Sequence, residues 1–222
     1  MTIKVDYNLP DGKPGLVFIH VPKTGGTSIE YLIIKEFQNL NIDFQRMRHC
    51  PLYSEHIPNT HYTFAVFRNP YERAFSWYNE LHNVVQDNRY HDLRGEYEKG
   101  FEWVIENRFD TFVRDGDTPI PYKGKFPQLW WISKDGQVAV DDLLWLDNID
   151  EDFKKVASKI TGLPIDNVPP FEIPKHNVGK QTVYGQYSKR AKQIIDDYYA
   201  EDIEFWKEQR QEDPWQDSFY KS

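Results

Sequence analysis

The sequence predicts an α/β fold in which helices flank a central parallel sheet, and two stretches carry that prediction. Residues 16–21 (LVFIHV) and 62–67 (YTFAVF) have the β-branched and aromatic composition of buried strands. Each run leads through a short polar segment into apolar residues at helical spacing. A chain that repeats strand, loop and helix builds a parallel sheet, and such sheets bind ligands at the carboxyl ends of their strands.

The first loop has the composition of a phosphate cradle. Gly25 and Gly26 allow a tight turn and a close approach of ligand to backbone. The helix that follows presents unpaired N–H groups and the positive end of its dipole, and Lys23 adds a full positive charge. Further hydroxyl donors come from Thr24, Thr27 and Ser28. A tight turn with a solvated lysine is the alternative interpretation.

The second strand–helix unit predicts a second anion site. Asn69 is suited to cap the helix, and Pro70 suits its first position. Arg68 ends the strand and offers a planar fork for phosphate, while Ser76 lies two turns along the helix. Two such sites on neighbouring strand ends favour a nucleotide with phosphates at both ends of its ribose. Pairing of Arg68 with Glu72 is the alternative.

The remaining segments complete a single domain over residues 1–222. We expect a short strand at 44–49 and an insertion at 86–127, helical around 101–113, that recognises the acceptor. Residues 127–133 and 137–146 are predicted as two strands around a Lys-Asp-Gly turn. Helices are expected at 150–160, closed by a glycine, and after a Ser188 cap, where one face carries Ala191, Ile194, Ile195, Tyr198, Tyr199, Ile203 and Trp206.

Composition narrows the class of protein. Of the 222 residues, 16% are aromatic, which favours a folded chain. The net charge of −8 argues against a nucleic-acid polymer as partner. Cys50 is the only cysteine, so an internal disulfide is excluded and a reducing compartment is favoured. No signal peptide and no apolar run of about 20 residues is evident. We expect a soluble, cytoplasmic protein without a membrane partner.

The phosphate ligand is expected to be held without a metal. The triphosphate-binding pattern GxxxxGK[ST] is absent, because Lys23 precedes the glycines. No clear carboxylate follows a predicted strand to hold the Mg²⁺ that triphosphate chemistry needs.

These motifs resemble those of the sulfotransferases. The segment HVPKTGGTSIE is similar to their 5′-phosphosulfate loop, and FAVFRNPYERAFSWY is similar to their 3′-phosphate segment. The form of both is most like the branch of carbohydrate 2-O-sulfotransferases and soluble bacterial members, and weaker likeness extends over residues 16–207. The resemblance implies a P-loop-like α/β nucleotide-binding fold and 3′-phosphoadenosine 5′-phosphosulfate (PAPS) as donor, with a small-molecule or carbohydrate acceptor.

The resemblance also implies roles for individual residues. Lys23 would stabilise the leaving phosphate, and Arg68 and Ser76 would bind the 3′-phosphate. The 5′-phosphate would be held by the backbone and hydroxyl groups of Thr24, Gly25, Gly26, Thr27 and Ser28.

A histidine is the expected base for the acceptor proton. His49 ranks first and His56 second, because RHCPLYSEH resembles the stretch in which the 2-O-sulfotransferases carry their base. A structural role for His49 is equally open. His20 is expected to pack against the loop or to orient it, and residues 175–180 (KHNVGK) are expected to form a solvated loop.

Two other functions stay open at this point. A nucleotide kinase or other phosphoryl transferase would use a similar cradle with ATP and Mg²⁺. A non-catalytic module would bind the nucleotide without turnover.

Overall fold

A computed structural model describes residues 15–37, 43–48, 61–86, 95, 98–108, 113–115, 118–120, 126–168, 183 and 185–220. Contacts divide the chain into two compact units. We call Met1–Arg68 with Gln128–Asn177 the sheet unit, and Asn69–Pro127 with Val178–Ser222 the helical unit. The prediction of one domain over 1–222 stays a prediction.

The sheet unit contains a parallel sheet. Its strands and helices are β1 (Gly15–His20), α1 (Gly26–Phe37), β2 (Asp43–Arg48), β3 (Tyr62–Phe67), α4 (Gln128–Ile132), β6 (Ser133–Lys134), β7 (Gln137–Val138), β8 (Asp142–Trp145) and α5 (Ile149–Thr161). In the described part of the chain the main sheet has four strands in the order β2-β1-β3-β8, all parallel. The chain leaves β1 for β2 on one side and then returns to β3 on the other. The strand order therefore reverses between β1 and β3, the position at which open α/β sheets bind ligands.

The core of the sheet unit explains why these residues form these elements. Every residue of β1 and β3 is buried, as is typical of a parallel sheet covered on both faces. Alternate strand residues such as Phe18 and Phe64 pack with apolar residues of α1 and α5, including Leu32 and Phe153. The α/β class with helices against a central parallel sheet is thereby confirmed, and β3 spans the stretch that its composition predicts.

The helical unit has its own aromatic core. It contains α2 (Pro70–Gln86), α3 (Phe101–Arg108), α6 (Lys189–Tyr198) and α7 (Ala200–Arg210), with a short hairpin of β4 (Val113–Asp115) and β5 (Thr118–Ile120). Tyr71, Tyr187 and Phe219 are almost fully buried there. The Tyr187 hydroxyl donates to the Tyr71 carbonyl at 2.7 Å, which ties the region before α6 to α2.

Asn69 caps α2 as predicted. Its Oδ1 accepts from the backbone N–H groups of Tyr71 at 3.0 Å and Glu72 at 3.3 Å. Its Nδ2 donates to the Pro214 carbonyl at 2.7 Å, so the same side chain also holds the segment after α7.

Replacing Asn69 by alanine is expected to lower the free energy of unfolding by about 1–2 kcal/mol, because α2 loses its cap. The measurement is urea denaturation followed by circular dichroism. Asn69→Asp keeps the capping oxygen and loses only the bond to Pro214. It should therefore lower the free energy of unfolding by less than alanine does. An alanine variant as stable as the unaltered chain would contradict the capping role.

The prediction of two strands over 127–146 is wrong. Residues 128–132 form α4, in which Gln128, Trp131 and Ile132 are buried at helical spacing. The β-favouring composition misled the prediction because tertiary packing overrides such propensities. The Lys-Asp-Gly turn is present, with positive φ at Asp135 (53°) and Gly136 (78°), but it joins only the short strands β6 and β7.

Residues 137–146 are divided between two sheets rather than forming one strand. The break falls before β8, where Asp141 Oδ2 accepts from the Thr63 N–H at 2.7 Å and from the Thr63 hydroxyl at 3.0 Å. The Asp141 N–H donates to the Thr63 carbonyl at 2.9 Å. These bonds bring β8 alongside β3, in the main sheet.

The two C-terminal predictions hold with one change. Gly162 ends α5 in the left-handed conformation, and Ser188 Oγ accepts from the Ala191 N–H at the start of α6. The predicted last helix is divided at Tyr199, whose φ of −116° separates α6 from α7. Tyr198, predicted on the buried face, is 37% exposed. No helix among the described residues is both long and apolar enough to cross a membrane.

Candidate functional site

The loop after β1 has the backbone of an anion cradle. Lys23 has a φ of 69° and Gly25 a φ of 81°, so the chain turns sharply through the left-handed region. For a residue with a Cβ this conformation costs about 1–2 kcal/mol, and such strain concentrates at functional sites. The Gly25 carbonyl then accepts from the N–H groups of Ser28 and Ile29, at 3.0 and 3.4 Å. The N–H groups of Gly26 and Thr27 precede these bonds and are the donors that a helix start offers to an anion.

The threonine hydroxyls of the loop have different surroundings. Thr24 is fully buried, and its Oγ1 donates to the Val21 carbonyl at 2.9 Å, which closes the turn from inside. The group that Thr24 offers to a ligand is therefore its backbone N–H. Thr27 is exposed at the start of α1, so its hydroxyl is accessible to a ligand.

Both glycines lie where a side chain would collide with a neighbour. A Cβ on Gly25 would come within 2.8 Å of Leu146 Cδ1, in the segment that follows β8. A Cβ on Gly26 would overlap the His20 imidazole at the end of β1. Leu146 and His20 thus fill the space that a side chain would occupy, and both positions require glycine.

His20 is held in place by a buried carboxylate. Its Nδ1 lies 2.7 Å from Glu30 Oε1, and His20 and Glu30 are only 8% and 1% exposed. The pair joins the last residue of β1 to the second turn of α1, while the imidazole lies against Gly26. His20 therefore packs beneath the loop, as expected from its place in the sequence.

Replacing Gly26 by alanine is expected to lower the free energy of unfolding by about 1–3 kcal/mol, because the new methyl group overlaps a ring that Glu30 holds in place. The measurement is the urea unfolding midpoint. Gly95→Ala is the matched control, since a Cβ there would have no atom of the described residues within 4 Å. Equal stability of the two variants would show that His20 moves freely and does not support the loop.

Arg68 lies directly beyond β3, beside the cradle. Its Nη1 donates to the Lys23 carbonyl at 3.3 Å, which joins the second strand end to the first loop. Its main chain is bound by the buried side chain of Gln128: the Arg68 N–H donates to Oε1, and Nε2 donates to the Arg68 carbonyl, both at 2.8 Å. The sheet edge thus brings a lysine, an arginine and a helix start into one place, a combination that suits a phosphorylated ligand.

For several predicted site residues the structure does not test the prediction. His49, His56 and residues 175–180 lie outside the described residues. Ser76 is half-buried on α2, in the helical unit, and its role toward a 3′-phosphate stays a prediction. His61 immediately precedes β3, so it lies at the amino edge of the sheet, opposite the cradle.

Three tyrosines in the core of the helical unit have raised pKa values. Burial raises the pKa of Tyr71, and the hydrogen bond from its hydroxyl to Asp196 Oδ1 at 2.6 Å adds to this effect. Burial also raises the pKa of Tyr78, and it raises that of Tyr199 to about 12 against the opposing charge of Arg73. These hydroxyls stay protonated at neutral pH, which fits a structural role in the core.

The described residues outside the cradle form a cavity but no metal site. A cavity of about 500 Å³ lies at the β6–β7 hairpin, lined by Trp130, Ser133, Lys134, Asp135 and Gly136, and it includes none of the candidate residues. Within the described ranges no group of three or more His, Cys, Asp or Glu side chains is arranged to hold a metal ion.

Comparison with known proteins identifies the family. A family model described as "Sulfotransferase family" matches residues 9–207, nearly the whole chain. The chain belongs to the sulfotransferase family. No curated protein and no solved structure matches it. The match runs through both units of this sulfotransferase and includes the cradle, Arg68 and Ser76.

Sequence reasoning missed two residues that support the candidate site of this sulfotransferase. Glu30 was part of an apolar helix pattern, and its position four residues after Gly26, one turn along α1, is the signal that places it under the loop. Gln128 was assigned to a strand. A single glutamine beside the apolar run LWWI is a weak signal, and its partner Arg68 is 60 residues away along the chain.

Proposed function

We propose that this protein transfers the sulfuryl group of PAPS to a hydroxyl acceptor without a metal. The observation that carries the proposal is the contact between the two strand ends: Arg68 donates to the carbonyl of Lys23, the strained residue of the cradle. One basic group from each of two neighbouring parallel strands suits a ligand with two separate phosphates. PAPS is such a nucleotide, and members of the sulfotransferase family use it as donor.

The chain offers fitting groups to both ends of this donor. The start of α1 offers its N–H groups to an anion, and Gly25 and Gly26 let the loop turn tightly against Leu146 and His20. The Arg68 guanidinium offers a bidentate fork to the 3′-phosphate, and we assign Ser76 to the same group. Thr27 and Ser28 add hydroxyls near the 5′-phosphate.

The transfer is an in-line displacement at sulfur. The acceptor oxygen forms a bond to sulfur, and the bond from sulfur to the bridging oxygen of the 5′-phosphate breaks. The electron pair stays on the phosphate, where the ammonium group of Lys23 stabilises the developing charge. The acceptor proton passes to a base, for which we propose His49, with His56 second. The products are a sulfate ester and 3′,5′-bisphosphoadenosine.

We propose a carbohydrate or other small hydroxyl compound as acceptor, recognised by residues 86–127. The single cysteine supports a cytoplasmic location, where thiols remain reduced.

The function is tested by ligand-induced thermal shift and by a transfer assay. Bisphosphoadenosine should raise the melting temperature strongly, since a ligand at about 100 times its Kd stabilises by roughly 2.7 kcal/mol. Stabilisation by ATP with Mg²⁺ but not by bisphosphoadenosine would identify a phosphoryl transferase instead. Radiolabelled PAPS offered with a panel of sugars, phenols and alcohols should yield sulfate ester. Binding without transfer to any of them would indicate a non-catalytic module.

A further inference from the structure

The side chain of Gln128 takes the place of a neighbouring strand at Arg68. The strand pairing between β3 and β8 ends at Phe67, opposite Trp145, one residue before Arg68. There the amide of Gln128 accepts from the Arg68 N–H and donates to the Arg68 carbonyl, both at 2.8 Å. The orientation of the amide is fixed by chemistry, because only its oxygen accepts and only its nitrogen donates.

This amide is buried and rigidly supported. Gln128 is 0% exposed at the first position of α4, and Trp131 and Ile132 on the same helix are also fully buried. Losing the amide would leave two main-chain polar groups of Arg68 without these bonds, in a part of the fold with little access to water. Such a clamp fixes the backbone from which the guanidinium extends.

The position of that guanidinium is the link to function. From the clamped backbone, Arg68 Nη1 reaches the Lys23 carbonyl at 3.3 Å. A binding group must be held within a fraction of an ångström to serve a ligand, and this precision usually comes from residues that do not touch the ligand themselves.

We propose that Gln128 is a positioning residue that sets the affinity of the site for the 3′-phosphate of the nucleotide, acting through Arg68. This inference depends on the proposed function, because it assumes a nucleotide with a 3′-phosphate. It assigns to Gln128 a specificity role beyond the stability that two ordinary hydrogen bonds provide.

The experiment compares two nucleotides by isothermal titration calorimetry. Bisphosphoadenosine carries the 3′-phosphate, and adenosine 5′-monophosphate lacks it. Gln128→Met has a similar volume but neither donates nor accepts, and it should weaken binding of bisphosphoadenosine by about 10-fold, the lower end of what lost outer partners cost elsewhere. Binding of the monophosphate should not change. Gln137→Met, at an exposed glutamine of the β6–β7 hairpin, is the matched control and should bind both nucleotides normally.

A double-mutant cycle separates positioning from a structural role. In an Arg68→Met background, Gln128→Met should cause no further loss of bisphosphoadenosine affinity, because the group it positions is gone. An equal loss for both nucleotides, or a full additional loss in that background, would overturn the inference, as would unchanged binding by Gln128→Met.

A second variant changes the clamp in a different way. Gln128→Glu keeps an acceptor for the Arg68 N–H, removes the donor to its carbonyl and adds a carboxylate that competes for the guanidinium. It too should weaken binding of bisphosphoadenosine but not of the monophosphate. An unchanged preference for bisphosphoadenosine in this variant would overturn the inference. If the unaltered chain binds bisphosphoadenosine no better than the monophosphate, the proposed function is contradicted as well as this inference. That result is seen before any variant is measured.

Discussion

Replacing Lys23 by alanine is expected to lower the rate of sulfuryl transfer by about 10²–10³-fold, the usual cost of losing one group that stabilises charge in the transition state. The variant removes the ammonium group and the aliphatic stem that carries it, and the loop retains its packing through Thr24, Gly25 and Gly26. Alanine has a Cβ as lysine does, so the strain at a φ of 69° is unchanged and the melting temperature should stay within a few degrees. Initial rates at saturating PAPS, with circular dichroism on the same samples, measure both effects.

The control for this experiment is Lys35→Ala. Lys35 is an exposed lysine in the last turn of α1, away from the cradle, and its loss should leave the rate unchanged. Full activity in Lys23→Ala would contradict the role of Lys23 in stabilising the leaving group.

Replacing Arg68 by methionine is expected to weaken binding of bisphosphoadenosine by about 10- to 100-fold. Hydrogen bonds to charged groups contribute roughly 1.5–3 kcal/mol, and the guanidinium offers a bidentate pair to the 3′-phosphate. The methionine retains much of the apolar stem, and the clamp from Gln128 to the main chain is unaffected because it involves only backbone atoms of Arg68. Calorimetric titration with bisphosphoadenosine and with adenosine 5′-monophosphate measures the selectivity directly.

The matched control is Arg190→Met. Arg190 is an exposed arginine of α6 whose partner is Glu106 at 3.1 Å, and an exposed ion pair of this kind contributes little. This variant should bind both nucleotides as the unaltered chain does. An equal loss for both nucleotides in Arg68→Met would place Arg68 at the 5′-phosphate or in a structural role rather than at the 3′-phosphate.

The fold was predictable where a short stretch of sequence determines the local structure. β3 and the Asn69 cap depend on local composition and on neighbouring residues, so sequence alone places both correctly. Residues 127–146 failed for the opposite reason. The packing of Trp131 and Ile132 in a helix, and the capture of β8 by Thr63 through Asp141, depend on contacts with distant parts of the chain.

The candidate site shows the same division. The cradle at 22–28 and Arg68 were identifiable because strand ends in a parallel sheet meet at one edge. The residues that support them, Glu30 and Gln128, were not identifiable. Their roles depend on hydrogen bonds to His20 and Arg68 that form only in the folded protein. The left-handed backbone of Lys23 likewise depends on the finished turn rather than on the residue type.

The most direct test of the nucleotide site is a crystal structure of the protein with 3′,5′-bisphosphoadenosine. We expect the 5′-phosphate to accept hydrogen bonds from the backbone N–H groups of Gly26 and Thr27, with the Lys23 ammonium beside it. The 3′-phosphate should accept from the Arg68 guanidinium. A nucleotide bound with its 5′-phosphate away from the loop after β1 would contradict the account.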